Sequence, residues 1–241
     1  MWNKIKEFGK KQSFQPNILS IFLNPMLFQR WYLFRSLKYF APQMRGTMLD
    51  FGCGRKPYKN LFANANEYVG VDIEISGHSH QESEIDIFYD GETIPFENEH
   101  FDSLYCSEVI EHLFNVDKII PELNRVLKKE GLALFTFPFA WQEHEKPYDF
   151  ARYTSFGAKY LFEKNGFEIV EFRKNGHFAV TVIQLWINYI FCLFQTNNRY
   201  LNTFMTILFI SPFNIVGILF SIFPKNTDLY ITNMILLKKI R

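Results

Sequence analysis

The sequence predicts an α/β fold, and three observations predict it. A short apolar run ends in an acid and turns into alternating glycines at Thr47-Met48-Leu49-Asp50-Phe51-Gly52-Cys53-Gly54. A second apolar run, Tyr68-Val69-Gly70-Val71-Asp72, ends in another acid 22 residues after Asp50. Strand-like and helix-like patterns then alternate along the chain, as they do where helices cover a sheet. The first run reads as an opening strand whose loop lies against a ligand, because glycines remove the side chains that would hold a ligand off. The N–H groups at the helix start after it favour an anionic group such as a carboxylate.

Before that strand, Lys4, Lys6, Lys10 and Lys11 precede Ile18-Leu19-Ser20-Ile21-Phe22-Leu23. Asn24-Pro25 interrupts the apolar run and no small-residue cleavage site follows, so a secretory signal is not expected. The stretch reads either as a helix capping the ligand cleft or as an interfacial anchor with lysines toward anionic lipid. Residues 26–40 set Trp31, Leu33, Phe34, Leu37 and Phe40 between Arg30, Arg35 and Lys38, an amphipathic helix that packs on the sheet. After the first strand, Arg55-Lys56-Pro57-Tyr58 opens a short helix, with Lys56 either near a ligand carboxylate or solvated. Residues 74–84 are too short and polar for a crossover helix and form a reduced loop. His78 and His80 within it lack the partners a metal site needs.

Strand three is expected at 84–89 and strand four at 101–106. Val116, Ile119, Ile120, Leu123, Val126 and Leu127 then recur at helical spacing, with Gly131 as the terminator. Strand five covers 132–137, a helix 157–165 closed by Gly166, strand six 167–172, and the last strand 229–237. The loop 138–154 concentrates reactive side chains, among them Trp141, Glu143, His144, Glu145, Tyr148, Asp149, Arg152 and Tyr153. Loops at this edge of an open sheet carry chemistry.

Composition narrows the partners. The 26 basic and 25 acidic residues nearly cancel, which excludes the strong basic footprint of duplex binding, so no nucleic acid is expected. The 3 cysteines, Cys53, Cys106 and Cys192, are odd in number and far apart, which suits a reducing compartment. Cys53 sits in the glycine loop as a small apolar filler without metal-ligand spacing around it, and no metal site is expected anywhere.

The dinucleotide pattern G-x-G-x-x-G fails, since its third glycine falls on Pro57. The pattern acid-x-Gly-x-Gly with an acid ending strand two instead resembles the class I S-adenosylmethionine-dependent methyltransferases, of the methyltransferase type 11-like kind. Asp50, Gly52, Gly54 and Asp72 match it, and further blocks follow in order: Asp90 to Phe96, Phe101-Asp102-Ser103-Leu104, Ser107-Glu108-Val109-Ile110-Glu111-His112-Leu113, and Glu122 to Leu127. The stretch Pro147-Tyr148-Asp149-Phe150-Ala151-Arg152-Tyr153-Thr154 looks like bacterial members found with surface-glycan synthesis.

The resemblance implies a Rossmann-like seven-stranded sheet of order 3-2-1-4-5-7-6 with an antiparallel last strand. It implies S-adenosylmethionine as cofactor, held by Asp50, Gly52, Cys53, Gly54, Asp72, Ile73, Asp90, Gly91, Ser107 and Glu108. Asp72 would accept from both ribose hydroxyls, Ile73 would lie on adenine, Asp90 would take the adenine amino group, and carbonyls after strand four would face the methionine ammonium. His112 and His144 are the candidate bases, with Tyr148, Asp149, Arg152 and Tyr153 on the acceptor side. His112 is equally a structural contact of the Glu-His pair, and Asp149 with Arg152 equally an ion pair that orders the loop.

The gap before the last strand implies an insertion. Residues 178–198 and 200–224 carry no charge and are each long enough to cross a bilayer. Thr181, Gln184, Asn188 and Gln195 nevertheless form a polar stripe, as do Asn214, Gly217 and Ser221, while Ser211-Pro212 breaks the helix. This pattern favours a helical pair lying in the membrane interface over a soluble cap, a dimer surface or a true crossing. The expected regions are an N-terminal cap at 1–45, a core at 46–175 plus 226–241, and the apolar insertion at 176–225. The reading is O-methylation of a glycan or lipid-linked acceptor, by a cytoplasmic enzyme in peripheral contact with the inner membrane face and open to oligomerisation. The alternatives are N- or C-methylation of a small lipophilic acceptor such as a quinone precursor, and a cofactor-binding, membrane-attached partner without turnover.

Overall fold

Strand β1 (Gly46–Phe51) is flanked in parallel by β2 (Ala65–Ile73) and β4 (Phe101–Ser107) in the computed structural model, which describes residues 12–74 and 83–241. All four residues from Met48 to Phe51 are buried, with no alternation, because a parallel strand inside a sheet is covered on both faces. With β3 (Ile87–Tyr89), β5 (Leu127–Pro138), β6 (Phe167–Asn175) and β7 (Thr232–Lys239), the sheet runs β3-β2-β1-β4-β5-β7-β6 with the last strand antiparallel, as expected. Register decides where the chemistry meets. Phe51 pairs with Val71 on one side and Cys106 on the other, so Gly52, Asp72 and Ser107 emerge together at the carboxyl edge.

The chain divides into two compact units, one of residues Leu37–Arg173 with Asn233–Arg241 and one of Met1–Ser36 with Lys174–Thr232. The first holds an apolar core built from the strands, from Ile119, Ile120, Leu123 and Val126 of a helix at Val116–Val126, and from Phe162 of another at Ser155–Lys164. Two expectations change here. The Val116–Val126 helix stops before Leu127, which is already extended and pairs with Phe101. Residues 128–131 bulge out of β5, with Glu130 left-handed at φ 63°, so Gly131 serves the bulge rather than a helix end. The sequence at 55–58 makes turns followed by a single 3₁₀ turn, Lys59–Leu61, in place of a helix.

The second unit explains why the N-terminal stretch and the insertion, expected as separate regions, belong together. It contains a short helix α1 (Ser20–Leu23), the first part of α2 (Leu27–Phe40), and the helix Phe178–Phe194. Gln184 accepts from the Phe28 N–H at 3.0 Å and donates to the Pro25 carbonyl at 2.8 Å. Asn214 donates to the carbonyls of Ile21 and Asn24 at 2.8 and 3.2 Å. Thr181, Gln184, Asn188 and Asn214 are all buried, so the polar stripe faces inward and is not the wet side of an interfacial helix. Gln195 alone of that first stripe is exposed. Nor does Ser211-Pro212 break the second helix. Arg199–Met205 continues through a π turn at Thr206–Ile210 into Ser211–Phe220, and the π turn just ahead of Pro212 accommodates its missing N–H. On α2, Leu33, Leu37 and Phe40 are buried as expected, whereas Trp31 is exposed. The lysines at 4, 6, 10 and 11, with His78 and His80 in the loop 74–84, lie outside the described residues.

Candidate functional site

A cavity of about 300 Å³ opens at the carboxyl edge of the first unit. Its walls come from the ends of β1, β2 and β3, from the turn after β4, and from the loop after β5. Gly52 forms the bend under it, at φ +71°, and a Cβ built there would stand 2.2 Å from Val109 Cγ2. Conformation and space both demand glycine at that position. Its N–H is held by the Val71 carbonyl at 2.8 Å, and the Gly54 N–H donates to Asp72 Oδ2 at 2.8 Å. Asp72 Oδ1 takes the Ile73 N–H at 2.8 Å, so one carboxylate pins the glycine loop to the end of β2 and keeps lone pairs to spare.

Of the ten residues expected around a cofactor, Gly52, Asp72, Ile73, Gly91 and Glu108 line the cavity. The other five stand back from it. Asp50 is buried and accepts from the Tyr68 hydroxyl at 2.6 Å, and burial pushes its carboxyl up to about 7 against the pull of that bond. Burial likewise pushes the Cys53 thiol up, consistent with a filler. Gly54 has nothing within 4 Å of a built Cβ. Asp90 closes its own turn, accepting from the N–H groups of Glu92 and Thr93 at 2.8 and 2.7 Å, which holds its carboxyl below the usual range. The Ser107 hydroxyl lies 2.7 Å from Thr136 Oγ1, which donates to Glu108 Oε1 at 2.9 Å. Glu108 itself is left-handed at φ 56°, an uncommon state for a side-chain-bearing residue in a cavity wall. Lys56 turns away to pair with Asp86 at 2.5 Å, so it does not wait for a ligand carboxylate.

The two histidines meet. His112 lines the cavity, and its ring stands edge-on to that of His144 at 4.7 Å, although His144 comes from the loop after β5. Nδ1 of His112 donates to the Tyr148 carbonyl at 2.6 Å, since a carbonyl only accepts. Nδ1 of His144 lies 3.3 Å from the Asp149 carboxylate, with an Arg152 nitrogen at 3.5 Å from the same atom. Burial, then the neighbouring His112, lowers the His144 pKa. Asp149 is gripped by Arg152 at 2.5 and 2.7 Å and accepts the His144 N–H at 3.0 Å, and these bonds hold its carboxyl far below the usual range despite partial burial. Asp149 and Arg152 therefore order the loop, as one of the two expectations had it. Tyr148 lines the cavity, and Tyr153 packs edge-on to Phe137 instead. Sequence reasoning missed Glu111 as a site residue: its carboxyl is wholly buried, and burial, reinforced by Glu108, pushes its pKa well above the usual range. The adjacency of Glu111 to His112 was the available signal.

Residues 49–135 match the methyltransferase domain family. An uncharacterized protein of Methanocaldococcus jannaschii is 35% identical over 100 residues, which are 40% of this chain and 45% of that protein. Among solved structures, the [4+2]-cyclase SpnF superposes with a TM-score of 0.57 at 15% identity, over 88% of this chain and 82% of that one. Phosphoethanolamine N-methyltransferase 2 of Haemonchus contortus, in complex with S-adenosyl-L-methionine, gives 0.54 at 19% identity, over 96% and 59%. An S-adenosylmethionine-dependent methyltransferase of Mesorhizobium loti gives 0.53 at 12%, over 86% and 98%. At such identities the likeness is one of fold, and a cyclase among these structures illustrates that a fold does not fix a reaction. By its domain match over residues 49–135 and by its seven-stranded sheet, the unit that holds the cavity is similar to a methyltransferase domain.

Proposed function

We propose that the chain is an S-adenosylmethionine-dependent methyltransferase and that the cofactor occupies the cavity at the ends of β1, β2 and β4. The observation that carries this reading is the Gly52 bend, closed to any side chain, with the Asp72 carboxylate at its lip. A backbone without side chains admits close approach of the cofactor, and Asp72 accepts from the ribose hydroxyls while still holding the loop. The cavity volume falls at the lower end of small-molecule sites, which span about 300–1,000 Å³. Asp50 and Cys53 support the loop from behind.

In the reaction an acceptor oxygen forms a bond to the methyl carbon as the carbon–sulfur bond breaks, its electron pair returning to sulfur. Holding the two reactants in line supplies on the order of 7–11 kcal/mol in favourable cases. The acceptor's hydroxyl proton is handled by the cluster of His112, His144 and Glu111, and proton transfer there is worth roughly 10²–10⁴-fold. The acceptor class we favour is a glycan or a lipid-linked glycan, on the resemblance of residues 147–154 to bacterial members of surface-glycan synthesis.

We also read the second unit as a peripheral membrane contact. What supports this is its polarity: Gln184 and Asn214 are buried while Trp186, Leu193, Phe204, Leu208, Leu219 and Ile222 are exposed. Arg199–Phe220 is long and apolar enough to cross a bilayer by length and composition.

Calorimetry with S-adenosylmethionine tests the cofactor, and binding is expected; no heat from it, with NADH titrating readily, overturns the reading. Mass spectrometry of surface glycans and lipids from cells with and without the gene tests the acceptor. Loss of a methyl group from a glycan is expected, and loss from a quinone precursor instead would move the assignment to the lipophilic class.

A further inference from the structure

Behind the cavity wall, polar atoms converge without partners among the described residues. Both carboxylate oxygens of Glu111 and Nε2 of His112 are buried and make no hydrogen bond to any described residue. Glu111 Oε1 and that Nε2 stop 3.8 Å apart, too far to bond each other, and Glu145 Oε2 also lies 3.8 Å from the same nitrogen. One ligand-type atom from each of Glu111, His112 and His144 falls within 4.8 Å of the others. A buried carboxyl group without a hydrogen bond is costly, and such groups are found paired or coordinating a metal. We propose that Glu111, His112 and His144 hold a divalent first-row transition ion of the Zn²⁺ kind, with Glu145 in reach as a further ligand.

The surroundings of both histidines fit that role. A metal-ligating histidine characteristically gives its other ring N–H to a carbonyl or carboxylate, which fixes the tautomer and frees the opposite nitrogen. His112 gives Nδ1–H to the Tyr148 carbonyl, which leaves its Nε2 to ligate, while His144 Nδ1 sits between the Asp149 carboxylate at 3.3 Å and an Arg152 N–H at 3.5 Å. Two ligands about 2.0–2.1 Å from one tetrahedral ion sit roughly 3.4 Å apart, so the 3.8 Å separation of Glu111 and His112 closes with a shift of a few tenths of an ångström, whereas a pair at the cluster's 4.8 Å limit closes by rotation of a side chain through about 1.4 Å. Two imidazoles with carboxylates suit Zn²⁺ and its neighbours, whereas Ca²⁺ and Mg²⁺ prefer oxygen throughout. The nearby positive charge of Arg152 is engaged by Asp149. No metal was expected from sequence, because the ligands arrive from two loops about thirty residues apart and carry no short spacing motif. The site stands on ligand geometry and needs no assumption about methyl transfer; where both hold, Glu111, His112 and His144 would serve as ligands in place of the base, and the ion would lower the pKa of an acceptor hydroxyl, whose proton would pass to solvent.

The test uses the full chain, stripped with a chelator and titrated with Zn²⁺ by calorimetry and with Co²⁺ by visible absorption. One equivalent is expected, with Glu111→Gln and His144→Gln each weakening uptake by about 100-fold or more. Histidine side-chain ¹⁵N NMR of the unmutated chain keeps the test open should a variant fail to fold: Zn²⁺ should shift one ring nitrogen of each of two histidines, with Nδ1 of His112 staying protonated. No uptake by the unmutated chain, equal uptake by folded variants, or unmoved histidine ring-nitrogen resonances overturns the proposal. S-adenosylmethionine, titrated separately, distinguishes the failures, because a chain that binds it without Zn²⁺ sinks the ion site alone, and one that binds Zn²⁺ without it sinks the cofactor reading alone.

Discussion

The two units of this chain differ in what they expose more than in what they bury. In the unit built on the sheet, Leu49, Phe51, Leu104, Phe135 and Ile235 are inside and the lysines and glutamates of β5 and the Ser155–Lys164 helix are largely outside. In the other, Thr181, Gln184, Asn188 and Asn214 are inside, and large apolar side chains such as Trp186, Leu193, Leu219 and Ile222 point out. Water drives the first arrangement through the hydrophobic effect. The second unit shares that drive, with Leu27, Phe28, Leu33, Val180, Ile187 and Ile210 also buried, and adds buried amides to it. Gln184 is tied to backbone at Phe28 and Pro25 and to the Asn188 side chain, and Asn214 to the Ile21 and Asn24 carbonyls, so side-chain amides join the segments of this unit.

The largest expected effect breaks the sheet unit at its glycine bend. In Gly52→Ala the new methyl group meets Val109 at a separation no real side chain tolerates, in a backbone state that disfavours alanine. Binding of S-adenosylmethionine is expected to fall by about 10²-fold by calorimetry, since both strain and a displaced Val109 act on the cavity wall. Binding within tenfold of the unmutated chain would mean that the cofactor lies elsewhere. The next effect acts on the outer face of the other unit. Leu208→Glu with Leu219→Glu places two charges on exposed apolar positions. Pelleting with anionic phospholipid vesicles is expected to drop on the order of 10²-fold, while cofactor binding stays unchanged. Undiminished pelleting would leave the exposed apolar face to be explained by a second protein surface instead.

The same contrast explains what was legible in the sequence. Glycine positions, strand-terminal acids and the helical spacing from Val116 are local signals, and the sheet order, the Gly52 bend and the seat of Asp72 follow from them. Periodicity gave the polar stripe on the Phe178–Phe194 helix correctly but was silent on which medium the stripe faces, and the structure turns it inward. Gly131 was misread because a helix end and a β-bulge both call for a residue free of side-chain crowding. Lys56 was misread because its partner, Asp86, is 30 residues away and brought near only by the pairing of β2 with β3. The meeting of His112 with His144 and the isolation of the Glu111 carboxyl are likewise products of tertiary structure, since they join the turn after β4 to the loop after β5.

The smallest expected effect sharpens the account of the sheet unit's interior. Asp50 is raised from its ordinary 3.8 to about 7 by burial, with Tyr68 donating to it. An acid whose pKa is raised on folding binds a proton more tightly in the folded state. Its contribution to stability is therefore complete below about 3.8 and is lost as pH climbs through 7. Asp50→Asn keeps an acceptor for the Tyr68 hydroxyl and removes the titration. The variant is thus expected to match the unmutated chain in thermal melts near pH 4 and to exceed it at pH 8, by up to roughly 4 kcal/mol. A gap between the two chains that stays constant across that range would mean that the Asp50 carboxyl is ionised throughout. In that case a buried charge, compensated by Tyr68 and its neighbours, would support the glycine loop from behind in place of a neutral acid.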